Sequence, residues 1–174
     1  MRLLIYSALI LGWLLSGTGC GRQEPQILGE WSLDDLTGVI DRDEEISIDP
    51  HDSIDGGGSL YIIASKKRSV RLFEIGDLDI EDAAITFTAS LKSRSVGGWV
   101  YLEMWVGTQD NREIFSRGED TAISRSHDWA TAQTVFLVEN DLKVARIRLN
   151  VVTEGGGHVW VDDVKVTVGP LPKS

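Results

Sequence analysis

The chain has 174 residues, 42% of them hydrophobic, which is enough for one domain with its own core. Its 27 Asp and Glu against 17 Lys and Arg give a formal net charge of −10. That balance excludes nucleic acid, whose binding depends on many cationic contacts to phosphate, and disfavours polyanions and anionic lipid as general partners.

Residues 1–19 read as an export signal. Arg2 is the only charge before Arg22, Leu3 to Leu15 is apolar, and the small residues Ser16-Gly17-Thr18-Gly19 follow. The apolar run is short for a membrane-spanning helix, which needs roughly 20 residues. An uncleaved anchor is the alternative. Cys20 is the only cysteine, so a disulfide framework is excluded. Its setting resembles a bacterial lipobox, in which the signal is cut before a Cys that carries lipid. Thr18 and Gly19 fit that pattern, whereas Gly17 stands where a Leu-like residue is usual. The resemblance implies an exported protein whose N-terminal lipid at Cys20 ties it to a bacterial membrane in the cell envelope. Residues 20–26 then form a polar tether, 27–168 the globular domain and 169–174 a tail.

The domain shows no pattern of helical period. Short β-prone runs between turn residues recur instead, which predicts an all-β antiparallel β-sandwich. Strands are expected near 26–33, 45–48, 59–65, 70–75, 84–93, 98–108, 133–139, 145–153 and 158–168. Gly169-Pro170-Leu171-Pro172 should break any further strand.

Alternation assigns faces to three of these. Ile85, Phe87, Ala89 and Leu91 oppose Thr86, Thr88, Ser90 and Lys92, and Ile147, Leu149 and Val151 oppose Arg146, Arg148 and Asn150. Burying unpaired arginines is far more costly than exposing them, so the aliphatic parity faces the core. The run GWVYLEMWVG at 98–107 then packs Val100, Leu102, Met104 and Val106 inward. Trp99, Tyr101, Glu103 and Trp105 fall on the other face.

Three blocks resemble a known family. Asp55-Gly56-Gly57-Gly58-Ser59-Leu60-Tyr61-Ile62, then His127-Asp128-Trp129 followed by Thr134-Val135-Phe136-Leu137-Val138, then Gly155-Gly156-Gly157-His158-Val159-Trp160-Val161-Asp162-Asp163-Val164 are similar to blocks of galactose-binding-like jelly rolls, in the same order. The resemblance implies two antiparallel sheets, as in many carbohydrate-binding modules, where one sheet often carries the sugar site.

The functional expectation is non-catalytic recognition of a glycan. Sugar rings present C–H faces that stack on Trp and Tyr, and their hydroxyls need polar groups around the rim. Trp99, Tyr101 and Trp105 are the candidate stacking surface, and Glu103, Arg146, Arg148 and Asn150 the candidate rim. The same face read otherwise is covered by a loop, belongs to a second core layer, packs Arg146 or Arg148 on Trp105, or serves an envelope protein as partner in a scaffold role. Trp129, Trp160 and Tyr61 read as packing residues. By position in the family, a structural calcium would use Asp162 and Asp55, completed by Glu30 or Asp34. No other cofactor is implied. A tethered glycoside hydrolase is the remaining reading. Glu103 has no evident second acid, and His51, His127 and His158 lack metal-site spacing.

Overall fold

The computed structural model describes residues 24–172. The lipobox and signal expectations at 1–20, and part of the tether, lie outside the described residues. Nine strands follow: β1 Gln26–Trp31, β2 Ile46–Asp49, β3 Ser59–Ala64, β4 Arg68–Ile75, β5 Ala83–Thr108, β6 Glu113–Arg117, β7 Ile123–Val138, β8 Val144–Thr153 and β9 Gly157–Pro170. A single three-residue 3-10 turn, Glu119–Thr121, separates β6 from β7.

All pairings are antiparallel, in the path β2-β3-β9-β5-β8-β4, with β1 on β9 and both β6 and β7 on β5. The sheet curls on itself to make a sandwich because β5 serves both layers. Its first half, to Arg94, pairs with β9 and β7; its second half, from Val100, pairs with β8 and β6. From Leu91 to Trp99 the register against β7 slips three times, and Ser95 and Arg125 take positive φ values of 56° and 59°. These bulges bend the strand without ending it, so the two strands expected at 84–93 and 98–108 are one element.

The core lies between the layers and follows the predicted parity. Ile85, Phe87, Ala89 and Leu91 of β5's first half meet Val100, Leu102, Met104 and Val106 of its second, with Ile147, Leu149 and Val151 of β8, and all are essentially buried. Val159, Val161, Val164 and Val166 of β9 complete it. Burying each such side chain contributes about 1.5–3 kcal/mol, which is what drives the curl.

β9, β7 and β6 depart from expectation in ways that bear on the site. β9 runs on to Gly169 and Pro170, which pair with Ala84 and Ala83, so the tail begins two residues later than 169. Pro170 then ends the strand because it has no N–H to offer. β7 begins ten residues before Gln133 and includes His127-Asp128-Trp129, and β6 was not expected at all.

Candidate functional site

The outer face of β5's second half is built across four strands. Glu103 lies directly opposite Asn150 of β8 on one side and Arg117 of β6 on the other. Trp105 lies between Arg148 and Phe115, and Gly107 between Arg146 and Glu113. Arg148 in turn faces Glu74 of β4. The topology therefore brings Tyr101, Glu103, Trp105, Arg146, Arg148 and Asn150 onto one surface. Trp99, on the same parity, stands at its end beside the bend.

The surface is not the open aromatic strip that alternation alone suggests. Tyr101 is buried, and Glu103 and Asn150 are only 5% and 4% exposed. Glu103 is the reason. Its Oε1 accepts hydrogen bonds from Trp105 Nε1 at 2.8 Å and Asn150 Nδ2 at 3.2 Å, and its Oε2 accepts one from Arg117 Nε at 2.8 Å. Burial raises the carboxyl's pKa, but the bonds from Arg117, Trp105 and Asn150 outweigh it and hold the group below its ordinary range. Burial likewise pushes the Tyr101 phenol up.

Around this floor stand the aromatic rings. Trp105 leans on Phe115 at 5.2 Å between centroids, and the Arg117 guanidinium lies 4.5 Å over Phe115. Phe115 is 47% exposed and Trp99 53%. Tyr101 is thus a floor residue and no stacking surface, while Trp99 is the exposed ring of the predicted set. The two predicted rim arginines are already paired: Arg146 reaches Glu113 at 2.6 Å and Arg148 reaches Glu74 at 3.1 Å. Asn150 Oδ1 is a buried acceptor without a protein partner.

Phe115, Arg117, Glu113 and Glu74 were missed by sequence reasoning. The signal for β6 existed: Glu113, Phe115 and Arg117 alternate with Ile114 and Ser116 between the turn residues Asn111 and Gly118. It was too short, and too polar on both parities, to separate from a loop.

Each of the four calcium candidates already has a protein partner. Both Asp162 carboxylate oxygens accept backbone N–H bonds, from Ile54 at 2.8 Å and Asp163 at 2.8 Å. Glu30 Oε1 pairs with Lys165 at 3.0 Å, Asp34 accepts from Ser32 Oγ, and Asp55 Oδ1 caps the Gly57 N–H. Among the described residues no group of three or more His, Cys, Asp or Glu side chains is placed to hold an ion. Asp162 anchors the loop before β3 through the Ile54 N–H, and burial raises its pKa.

No family model matches the sequence, and no curated protein matches it. Solved structures do resemble the fold. The CBM22-1 xylan-binding domain from Paenibacillus barcinonensis aligns with a TM-score of 0.60 at 12% identity, covering 85% of this chain and 97% of its own. A family 16 carbohydrate-binding module aligns with a TM-score of 0.57 at 12% identity, covering 75% of this chain and 91% of its own. A cyclase from Fischerella sp. TAU gives a TM-score of 0.54 at 15% identity, covering 84% and 87%. The chain thus has the β-sandwich fold of these carbohydrate-binding modules, a fold also used by an enzyme.

Proposed function

We propose that this domain is a non-catalytic glycan-binding module whose site is the outer face of β5's second half with β6 and β8. The observation that carries the reading is Trp99. It is 53% exposed on a strand whose other residues are largely buried, and no packing role accounts for leaving a Trp ring in water. Phe115 offers a second ring, and the Arg117 guanidinium, held by the buried Glu103 and 40% exposed, adds a placed polar group of the kind sugar hydroxyls need. The fold's likeness to a domain described as xylan-binding supports the same class of ligand.

The experiment is a panel of soluble neutral oligosaccharides, xylo-oligosaccharides included, read by intrinsic Trp fluorescence and calorimetry. Trp99→Ala is expected to weaken binding about tenfold, the order of one lost aromatic contact of about 1.5 kcal/mol. Its melting temperature should stay unchanged because the ring is exposed. A folded wild-type protein that binds nothing in the panel would overturn the reading.

The same proposal includes attachment to a bacterial envelope membrane through lipid on Cys20, supported by Arg2, the apolar run and the small residues before the Cys. Cys20→Ser should move the protein from the detergent-soluble membrane fraction to the aqueous one. Unchanged partitioning would count against the lipid.

A further inference from the structure

The opposite layer carries a second cluster that the proposed site does not use. On the outer face of β3, β9 and β5's first half, the register sets Tyr61, Trp160 and Lys92 in one row and Ile63, His158 and Arg94 in the next. Tyr61 and Trp160 were read from sequence as packing residues. They do pack, with ring centroids 4.9 Å apart, but outside the core.

Nearly every charge in this cluster is committed. Asp49 accepts the Trp160 indole N–H at 2.9 Å, and the resulting bonds hold its carboxyl below the ordinary range. Asp52 takes Lys92 at 2.8 Å and the Trp129 indole N–H at 3.2 Å, and Asp128 lies 3.6 Å from Lys92. Arg94 is the exception. Among the described residues no carboxylate lies within 4 Å of it, although most Lys and Arg side chains have one. Its guanidinium is held 5.2 Å over the Trp160 ring, which fixes its position without neutralising it.

His158 lies directly opposite Arg94 on the neighbouring strand, so their Cβ atoms are about 5 Å apart. Its Nδ1 is engaged by the Tyr61 hydroxyl. With the phenol donating to Nδ1, the neutral ring carries its hydrogen at Nε2, and the protonated ring also donates there. Two donor groups therefore sit on paired residues, and among the described residues neither the Arg94 guanidinium nor His158 Nε2 has a hydrogen-bond acceptor, in a chain of net charge −10. Beside them, Ile63 is 42% exposed and Tyr61 half-buried, giving apolar surface next to the donors.

We propose that this face is a second binding site, selective for a carboxylate-bearing sugar residue. Arg94 and His158 take the carboxylate, and Tyr61 with Ile63 lies against the ring. A bare inorganic anion would use the donors alone and gain nothing from the apolar pair, so the combination selects an acidic sugar.

The test compares oligogalacturonate or oligoglucuronate with neutral oligosaccharides of equal length, and with inorganic phosphate and sulfate alone. The uronate ligand is expected to bind the wild-type domain. Arg94→Gln should weaken that binding at least tenfold, Tyr61→Phe about threefold, and Trp99→Ala not at all. Arg94 is exposed, so an unchanged melting curve separates loss of binding from loss of fold. Equal affinity for neutral and acidic sugars, or no effect of Arg94→Gln, would overturn the proposal. So would phosphate or sulfate binding as tightly as the uronate. Loss of uronate binding in Trp99→Ala would show a single site and overturn it as well, whereas failure of neutral binding alone bears only on the other face.

Discussion

Replacing Glu103 with alanine is expected to destabilise the domain by about 3 kcal/mol, read as a fall in the denaturant midpoint at unchanged slope. The carboxylate is 5% exposed and is the shared acceptor of Arg117, Trp105 and Asn150. Breaking a buried charged pair by removing one partner costs about 3–5 kcal/mol, because the other is left without compensation. The lower end applies here because the Arg117 side chain is 40% exposed and water takes over part of its solvation. Glu103→Gln retains an acceptor for Trp105 and Asn150, so it should cost about half as much.

The pH dependence follows from the same bonds. The folded-state pKa of Glu103 is held below its unfolded value of about 4.3. Its charge therefore contributes stability that is fully present above that value and is lost as the pH falls through the folded one. Between about pH 5 and pH 3 the wild-type protein should lose more stability than Glu103→Gln. Parallel curves over that interval would show that the network carries no net charge stabilisation. Because Trp99 does not touch this network, Glu103→Gln should also leave the exposed ring in place. Stability and binding can then be separated on one strand.

What the sequence made legible is what period-2 alternation encodes. Phe87 and Leu91, Leu102 and Met104, and Leu149 and Val151 each declare a core face by their own neighbours, and all six are buried. Glu103 illustrates what alternation leaves open. Its parity correctly takes it out of the main core, but its burial depends on Arg117, fourteen residues away on a short strand with polar residues on both faces. Parity sorts side chains between two faces; it does not say whether a third strand will close one of them. Asp162 has the same character. Its place in the closing strand suggests a cation ligand and gives no hint of the Ile54 N–H that it accepts from 108 residues away in sequence. Trp160 reads as a packing residue and is one, but it packs on the outer face, buried by Tyr61, Lys92 and Arg94, which its own neighbours in sequence do not reveal. In each case the missing term is a long-range neighbour.

The bend in β5 makes the second large prediction, because the sandwich closes only if β5 and the start of β9 touch there. Gly97 N donates to Gly156 O at 2.9 Å, so the backbones are in contact with no side chain between them. Gly157 has φ +147°, a region that residues with a Cβ rarely adopt. A Cβ on it would lie 2.6 Å from Val96 Cα and 2.8 Å from Ser95 O. Neither atom can rotate away, because both belong to the backbone at the bend. Gly157→Ala therefore combines about 1–3 kcal/mol of conformational strain with about 1–3 kcal/mol of overpacking. The expected loss is about 4 kcal/mol, or roughly 12 °C in melting temperature for a domain of this size. Gly56→Ala is the control. Gly56 also has a positive φ, of 90°, but a Cβ there meets nothing within 4 Å, so it should lose the strain alone, about 1 kcal/mol. If the two variants melted together, the backbone approach at the bend would not be what closes the sandwich. If Gly157→Ala alone falls far, Gly155 and Gly157 are explained by contact with β5, and Trp99 and Arg94 owe their positions on either side of the bend to it.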